Sequence, residues 1–198
     1  MINNISDFPK NDGETKTVEV AKTNFIHNGK IYILGEFDSS ISTNIIPGIS
    51  DLIGMNASEK EPNPLVIYIN SHGGLASELF GLLSMLEIAK SMGIQIITYN
   101  LACAYSCGSL LAIHGNQRLM YKNAFNLMHL GSAGFESKSF EELDRNHKHT
   151  KQYFDMIVRM YVEHTKMDEE KVRHLLKDDS CFLNAKECLK YGLCDAII

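Results

Sequence analysis

Three consecutive stretches constrain the fold of this chain most: "PLVIYIN" (64–70), "SELFGLLSMLEIAKSMG" (77–93) and "IQIITYN" (94–100). The first is rich in β-branched and aromatic residues on both faces, the pattern of a strand buried on both sides. In the second, Leu79, Leu82, Leu83, Leu86 and Ile88 predict one broad apolar helix face that ends at Gly93. A strand, a helix and a strand in so short a span predict a parallel βαβ unit with a right-handed crossover. The chain is thereby committed to an α/β sheet.

The pattern repeats on both sides of this unit. "KIYILGEF" (30–37) predicts a preceding strand, and the segment from Ser39 to Met55 has helical spacing at Ile41, Ile45, Ile49, Leu52 and Ile53, with a kink expected at Pro47. Downstream, a helix is expected to begin near Ser106, followed by strands at "RLMYK" (118–122) and "FNLMHL" (125–130). Ser139 to Lys166 reads as a long helix, charged at first and apolar at Ile157, Met160 and Tyr161. "DEEKVRHLLKDD" predicts a short helix with an acidic first turn, and "NAKECLKYGLCDAII" a helix, a stop at Gly192 and a final strand.

Composition narrows the function classes. At 198 residues and 44% hydrophobic, the chain supports one domain with a sizeable core. A net charge of −5 with no basic cluster argues against a nucleic-acid partner. The N-terminus lacks the basic start and apolar core of a signal peptide, and the richest apolar run is broken by Ser, Glu, Lys, Gly and Gln, so no membrane span and a cytoplasmic location are expected. Residues 1–22 are polar and read as a flexible arm ahead of a domain at 23–198. Five cysteines without a C-x-x-C pair predict reduced thiols. His147, His149, His164 and His174 lack carboxylate partners at ligand spacing, so neither a metal nor a cofactor is expected.

Ligands of open α/β sheets gather where strand ends meet helix starts, which points to three loops. In "NSHGGLA", Gly73 and Gly74 would let a carbonyl approach the backbone N–H groups, or simply make a tight turn. In "ACAYSCGSLLAIHG" (102–115), Ser106 sits at the helix start, ahead of the unpaired N–H groups of Cys107 and Gly108. Its oxygen either caps the helix or attacks a carbonyl while those N–H groups hold the oxyanion. The A-x-S-x-G spacing is a degraded nucleophile elbow, and Cys103 and Ser109 read as small packing residues beside it. His129, at the end of "FNLMHL", is either a packed histidine or a base.

Taken in order, the stretch from "IYINSHGGLASELFG" through "AYSCGSLLAIHG" to "FNLMHLGS", with the closing "FLNAKECLKYGLCDAI", resembles the ClpP family, the serine-type proteolytic subunit of ATP-dependent Clp proteases. The likeness covers roughly residues 30–198 and leaves out the N-terminal arm. It implies the ClpP/crotonase-like superhelix of βαβ units with a protruding helical handle at about 131–166. By position it makes Ser106 the nucleophile, His129 the general base, and the N–H groups of Gly74 and Cys107 the oxyanion donors. Gly73, Leu75 and Ala76 would hold a polypeptide substrate as an added strand. The family also implies two stacked heptameric rings, cleavage inside a closed chamber and an AAA+ unfoldase partner.

Three departures stand out. Ser180 occupies the family's acid position, and the carboxylate of Asp179 lies one residue earlier. His72 stands where a proline usually precedes the two glycines, and Gly131 where a proline commonly follows the histidine. In the strand that docks the unfoldase, Tyr68 is present but Val66 fills the second aromatic place. Two other readings follow: a catalytically weak or inactive ring subunit, or an acyl-CoA enzyme of the crotonase type that needs no serine nucleophile.

Overall fold

The first described strand precedes those predicted from the sequence. Strands β1 (Asn24–His27) and β2 (Lys30–Ile33) form an antiparallel hairpin, turning at Asn28 and Gly29 with φ of +49° and +70°. Asn-Gly is a strong two-residue hairpin signal, because both turn positions need positive φ. The computed structural model describes residues 23–56, 59–131, 139–177 and 181–198, so the arm at 1–22 lies outside the described residues.

Beyond β2, which ends earlier than "KIYILGEF" suggests, a π-helical turn at Ile41–Ile45 runs into α1 (Ile46–Asn56). In that turn the Ile46 N–H bonds to the Ile41 carbonyl. The irregularity expected at Pro47 therefore appears as a change of hydrogen-bond register just before a residue that has no N–H to give. Strand β3 (Leu65–Ser71), helix α2 (Ala76–Ser91), strand β4 (Ile96–Tyr105) and helix α3 (Cys107–Ile113) come next, and β2, β3 and β4 pair in parallel as the βαβ reading requires.

Two burial expectations are corrected. In β3 the residues Leu65, Ile67, Ile69 and Ser71 are buried, whereas Val66, Tyr68 and Asn70 are half-buried. The face of Leu65, Ile67 and Ile69 packs into the core. The other carries a row of stacked rings, Phe25 on Tyr32, Tyr32 on Tyr68 and Tyr68 on Tyr99, with centroids 4.9–5.1 Å apart. In α2, Ile88 is 48% exposed and Ala89 takes the core position beside Leu79, Leu82, Leu83 and Leu86. The helix phase places residue 89 three beyond Leu86, on the same face.

Strand β4 forks the sheet. Its first half pairs with β5 (Gln117–Met120), and its last residues, Cys103–Tyr105, pair with β6 (Phe125–Met128). The register against β3 slips between Ile69 and Ser71, and Asn70 Oδ1 accepts the Cys103 N–H at 3.3 Å where the ladder breaks. Such an irregularity bends a strand and re-aims the residues beyond it. Here the residue just beyond the strand is Ser106.

Helix α4 (Phe140–His164) is capped by Ser139, whose side chain accepts from the Glu142 N–H. At 25 residues it is about 37 Å long. Its buried residues are Ile157, Val158 and Tyr161, all in the second half, and Phe140 near its start is 89% exposed. The first half therefore extends past the core. Helix α5 (Glu169–Leu175), strand β7 (Cys181–Asn184), helix α6 (Ala185–Tyr191) and strand β8 (Ala196–Ile197) complete the chain.

Strand β7, which the sequence pattern does not predict, pairs antiparallel with β6, while β8 joins β5 in parallel. The Arg118 guanidinium bonds Asp195 and the carbonyls of His164 and Gly192, pinning the end of α4 to the C-terminal segment. The result is a mixed α/β fold with an eight-stranded sheet and a helix projecting from it.

Candidate active site

Ser106 stands at the junction of β4 and α3 with φ +54° and ψ −118°, one of two non-glycine residues at positive φ among the described residues. An L-residue held there is strained, and the strain is sustained by fixed neighbours. The Ser106 N–H donates to the Leu127 carbonyl at 3.0 Å, and its carbonyl accepts from Leu110 N–H. Its side chain makes no capping bond to α3, so of the two readings of this serine the cap is not realised.

Gly73 and Gly74 form the floor under it, with φ of +103° and +144°. A Cβ on Gly73 would lie 2.6 Å from the Ser106 Cβ, and one on Gly74 2.5–2.6 Å from the Phe37 backbone, so no side chain fits either place. The Phe37 N–H donates to the Gly73 carbonyl at 2.8 Å and the Leu75 N–H to the Phe37 carbonyl at 2.7 Å. In a trans peptide the N–H points opposite to the preceding carbonyl, so the Gly74 N–H is directed away from Phe37. The Cys107 thiol donates to the Gly74 carbonyl at 3.2 Å, which holds that peptide in place.

Among the described residues the N–H groups of Gly74 and Cys107 donate to no backbone carbonyl, and both lie beside the Cys107 sulfur. The Cys107 N–H opens a helix and has no intrahelical partner. Burial pushes the Cys107 thiol pKa up, and burial does the same for Cys103. Both sulfurs are therefore held as thiols, which are poor nucleophiles.

A cavity of about 470 Å³ gathers Ser106, Cys107, Gly74, Leu75, Ala76 and His129 from the three predicted loops. Gly73 packs behind Ser106 rather than lining it. Among the described residues no hydrogen bond joins Ser106 Oγ to His129. Asp179 and Ser180 lie outside the described residues. Cys181, the residue after them, opposes Met128, the neighbour of His129.

The sequence reading missed one wall. Thr150, Tyr153 and Ile157 of α4 line the same cavity, and their i, i+3, i+7 spacing was the available signal. Tyr153 is anchored edge-on to Phe80, and His72 edge-on to Tyr105 at 5.3 Å. Among the described residues no three His, Cys, Asp or Glu side chains are grouped as metal ligands, and no helix is long and apolar enough to cross a membrane.

The chain is 27% identical over 199 residues to an ATP-dependent Clp protease proteolytic subunit 2 of Treponema denticola, covering all of this chain and 94% of that one. It is 27% identical over 170 residues to the ATP-dependent Clp protease proteolytic subunit of Deinococcus radiodurans, covering 85% of this chain and 79% of that one. A third relative, the ATP-dependent Clp protease proteolytic subunit of Mesostigma viride, is 27% identical over 191 residues, 94% of this chain and 79% of its own. The Clp protease family model matches residues 12–198, reaching further toward the N-terminus than the resemblance read from motifs. With that match spanning nearly the whole fold and the cavity built from the three loops that carry the motifs, the chain belongs to the Clp protease family.

Proposed function

We propose that this chain is a serine endopeptidase subunit that cleaves unfolded polypeptides inside a closed oligomeric chamber. The observation that carries the reading is Ser106, held at positive φ with its hydroxyl uncommitted to a helix cap, in one cavity with His129, Gly74 and Cys107.

Ser106 Oγ attacks the scissile carbonyl carbon while its proton passes to a His129 ring nitrogen. The oxyanion so formed rests on the N–H groups of Gly74 and Cys107, donors worth about 3 kcal/mol each in such sites. As the C–N bond breaks, His129 returns the proton to the leaving amine. Water then gives a proton to His129, attacks the acyl ester and frees Ser106. Asp179 serves as the acid that orients His129, supported by its covalent closeness to Cys181, which lies opposite Met128.

A substrate strand lies along Leu75, kept extended by its bond to Phe37 and 58% exposed, and reaches Ala76 at the start of α2. The exposed first half of α4 is the handle that joins two heptameric rings, the expected handle residues 132–138 lying outside the described ones, and the relatives' names support an ATP-dependent partner, here an unfoldase. The half-exposed face bearing the ring stack of Tyr32, Tyr68 and Tyr99 is where that partner docks.

Treatment with a fluorophosphonate followed by peptide mapping tests the proposal: label on Ser106 is expected, and a well-folded assembly that leaves Ser106 unlabelled overturns it. Ser180 at the acid position favours a second reading, a ring subunit without activity. Peptide hydrolysis that disappears in Ser106→Ala removes that reading.

A further inference from the structure

Three buried polar side chains on three elements form one hydrogen-bonded chain. The Tyr161 hydroxyl of α4 donates to Ser109 Oγ of α3 at 2.8 Å, and the Ser109 hydroxyl donates to Asn126 Oδ1 of β6 at 2.7 Å. Their exposures are 0%, 0% and 2%. Two hydroxyl protons serve two acceptors, so neither proton is left without a partner. Burial raises the Tyr161 pKa, which keeps the phenol a donor.

The position of this chain relative to the site matters more than its burial. Ser109 lies three residues after Ser106 on α3, and Asn126 three before His129 at the end of β6. The start of α3 is already tied to β6 through the Ser106 N–H and the Leu127 carbonyl. A second tie three residues further along, about 4.5 Å up the helix axis, stops α3 from pivoting on the first. The third link reaches α4, whose Thr150, Tyr153 and Ile157 form the cavity wall. The three elements that carry Ser106, His129 and the cavity wall are thus joined through Ser109, which the sequence reading took for a small packing residue.

We propose that Tyr161, Ser109 and Asn126 are positioning residues that set Ser106 against His129 and transmit the placement of α4 to that pair. The inference rests on Ser106 and His129 being nucleophile and base.

The test separates positioning from stability. Ser109→Ala strands a buried phenol proton and a buried amide oxygen, so it lowers Tm most, by several degrees. Adding Tyr161→Phe removes the stranded phenol, so the double variant regains part of that Tm. With kcat and KM for a peptide substrate and the fluorophosphonate labelling rate of Ser106 measured on the assembled protein, kcat and labelling are expected to fall about tenfold or more in Ser109→Ala. They are expected to stay low in the double variant while KM changes little. Recovery of kcat in step with Tm makes the chain merely structural and overturns the proposal. Wild-type protein that neither hydrolyses peptide nor labels at Ser106 overturns the site reading, and the positioning role with it.

Discussion

The thiol of Cys107 donates to the carbonyl of Gly74 at 3.2 Å, so the two residues proposed as oxyanion donors are tied together by the side chain of one of them. The bond fixes the peptide next to the Gly74 N–H, and with it the spacing of the two donors. Cys107→Ala frees that peptide without removing either donor. We expect kcat for peptide hydrolysis to fall about tenfold with little change in KM, less than the 10²–10³ lost when an oxyanion donor is deleted. Steady-state kinetics on the variant checks it, and an unchanged kcat shows that the thiol merely fills space.

Gly73 admits no side chain. Its φ of +103° and the 2.6 Å that would separate a Cβ at this position from Ser106 Cβ mean that Gly73→Ala pushes directly on the proposed nucleophile. Ser106 labelling by a fluorophosphonate is expected to slow at least 10²-fold while circular dichroism retains the α/β signature. Labelling at the wild-type rate contradicts this account of the loop.

Two substitutions test which residue is the proposed acid. Asp179→Asn is expected to lower kcat by about 10⁴, the scale seen when a triad aspartate loses its charge. Ser180→Ala is expected to cost far less. The reverse order in the measured rates assigns the orienting role to Ser180.

His114 is expected to make the fold acid-sensitive. Its ring lies 4.1 Å from that of His164 and its Nδ1 is 3.1 Å from the Leu110 carbonyl, and burial, with the His164 charge adding to it, pushes its pKa down from 6.5 to about 4. Below pH 6.5 the unfolded chain takes up a proton that the folded chain refuses, so stability falls as the pH drops and the loss is complete near pH 4. The shift corresponds to about 3 kcal/mol. Urea unfolding between pH 4.5 and 7.5 is expected to show this slope and His114→Gln to flatten it. An equal slope in both proteins assigns the acid sensitivity to other groups.

Local order was legible in the residues themselves. The β-branched runs and the leucine spacing of α2 specify parallel βαβ units, because period and propensity act within a few residues. Ser106, His129 and Gly74 could be picked out for the same reason, each lying where a predicted strand or turn ends. The hairpin at Asn28–Gly29 was legible too, but was passed over. Strand β7 was not, since "CFLN" is too short to signal a strand without β6 beside it.

What only the tertiary structure decided are the relations between distant residues. Tyr161 and Ser109 are 52 positions apart, and Ser109 and Asn126 17. Nothing in their local sequence says that a phenol, a hydroxyl and an amide will be desolvated together and must satisfy one another. The same holds for Phe37, which orients Gly74 from 37 residues away through main-chain bonds that any residue but proline could make. Sequence pattern determined which elements form and which residues stand at their ends. Packing determined which of those ends meet, because burial obliges polar groups to find partners wherever the fold brings them.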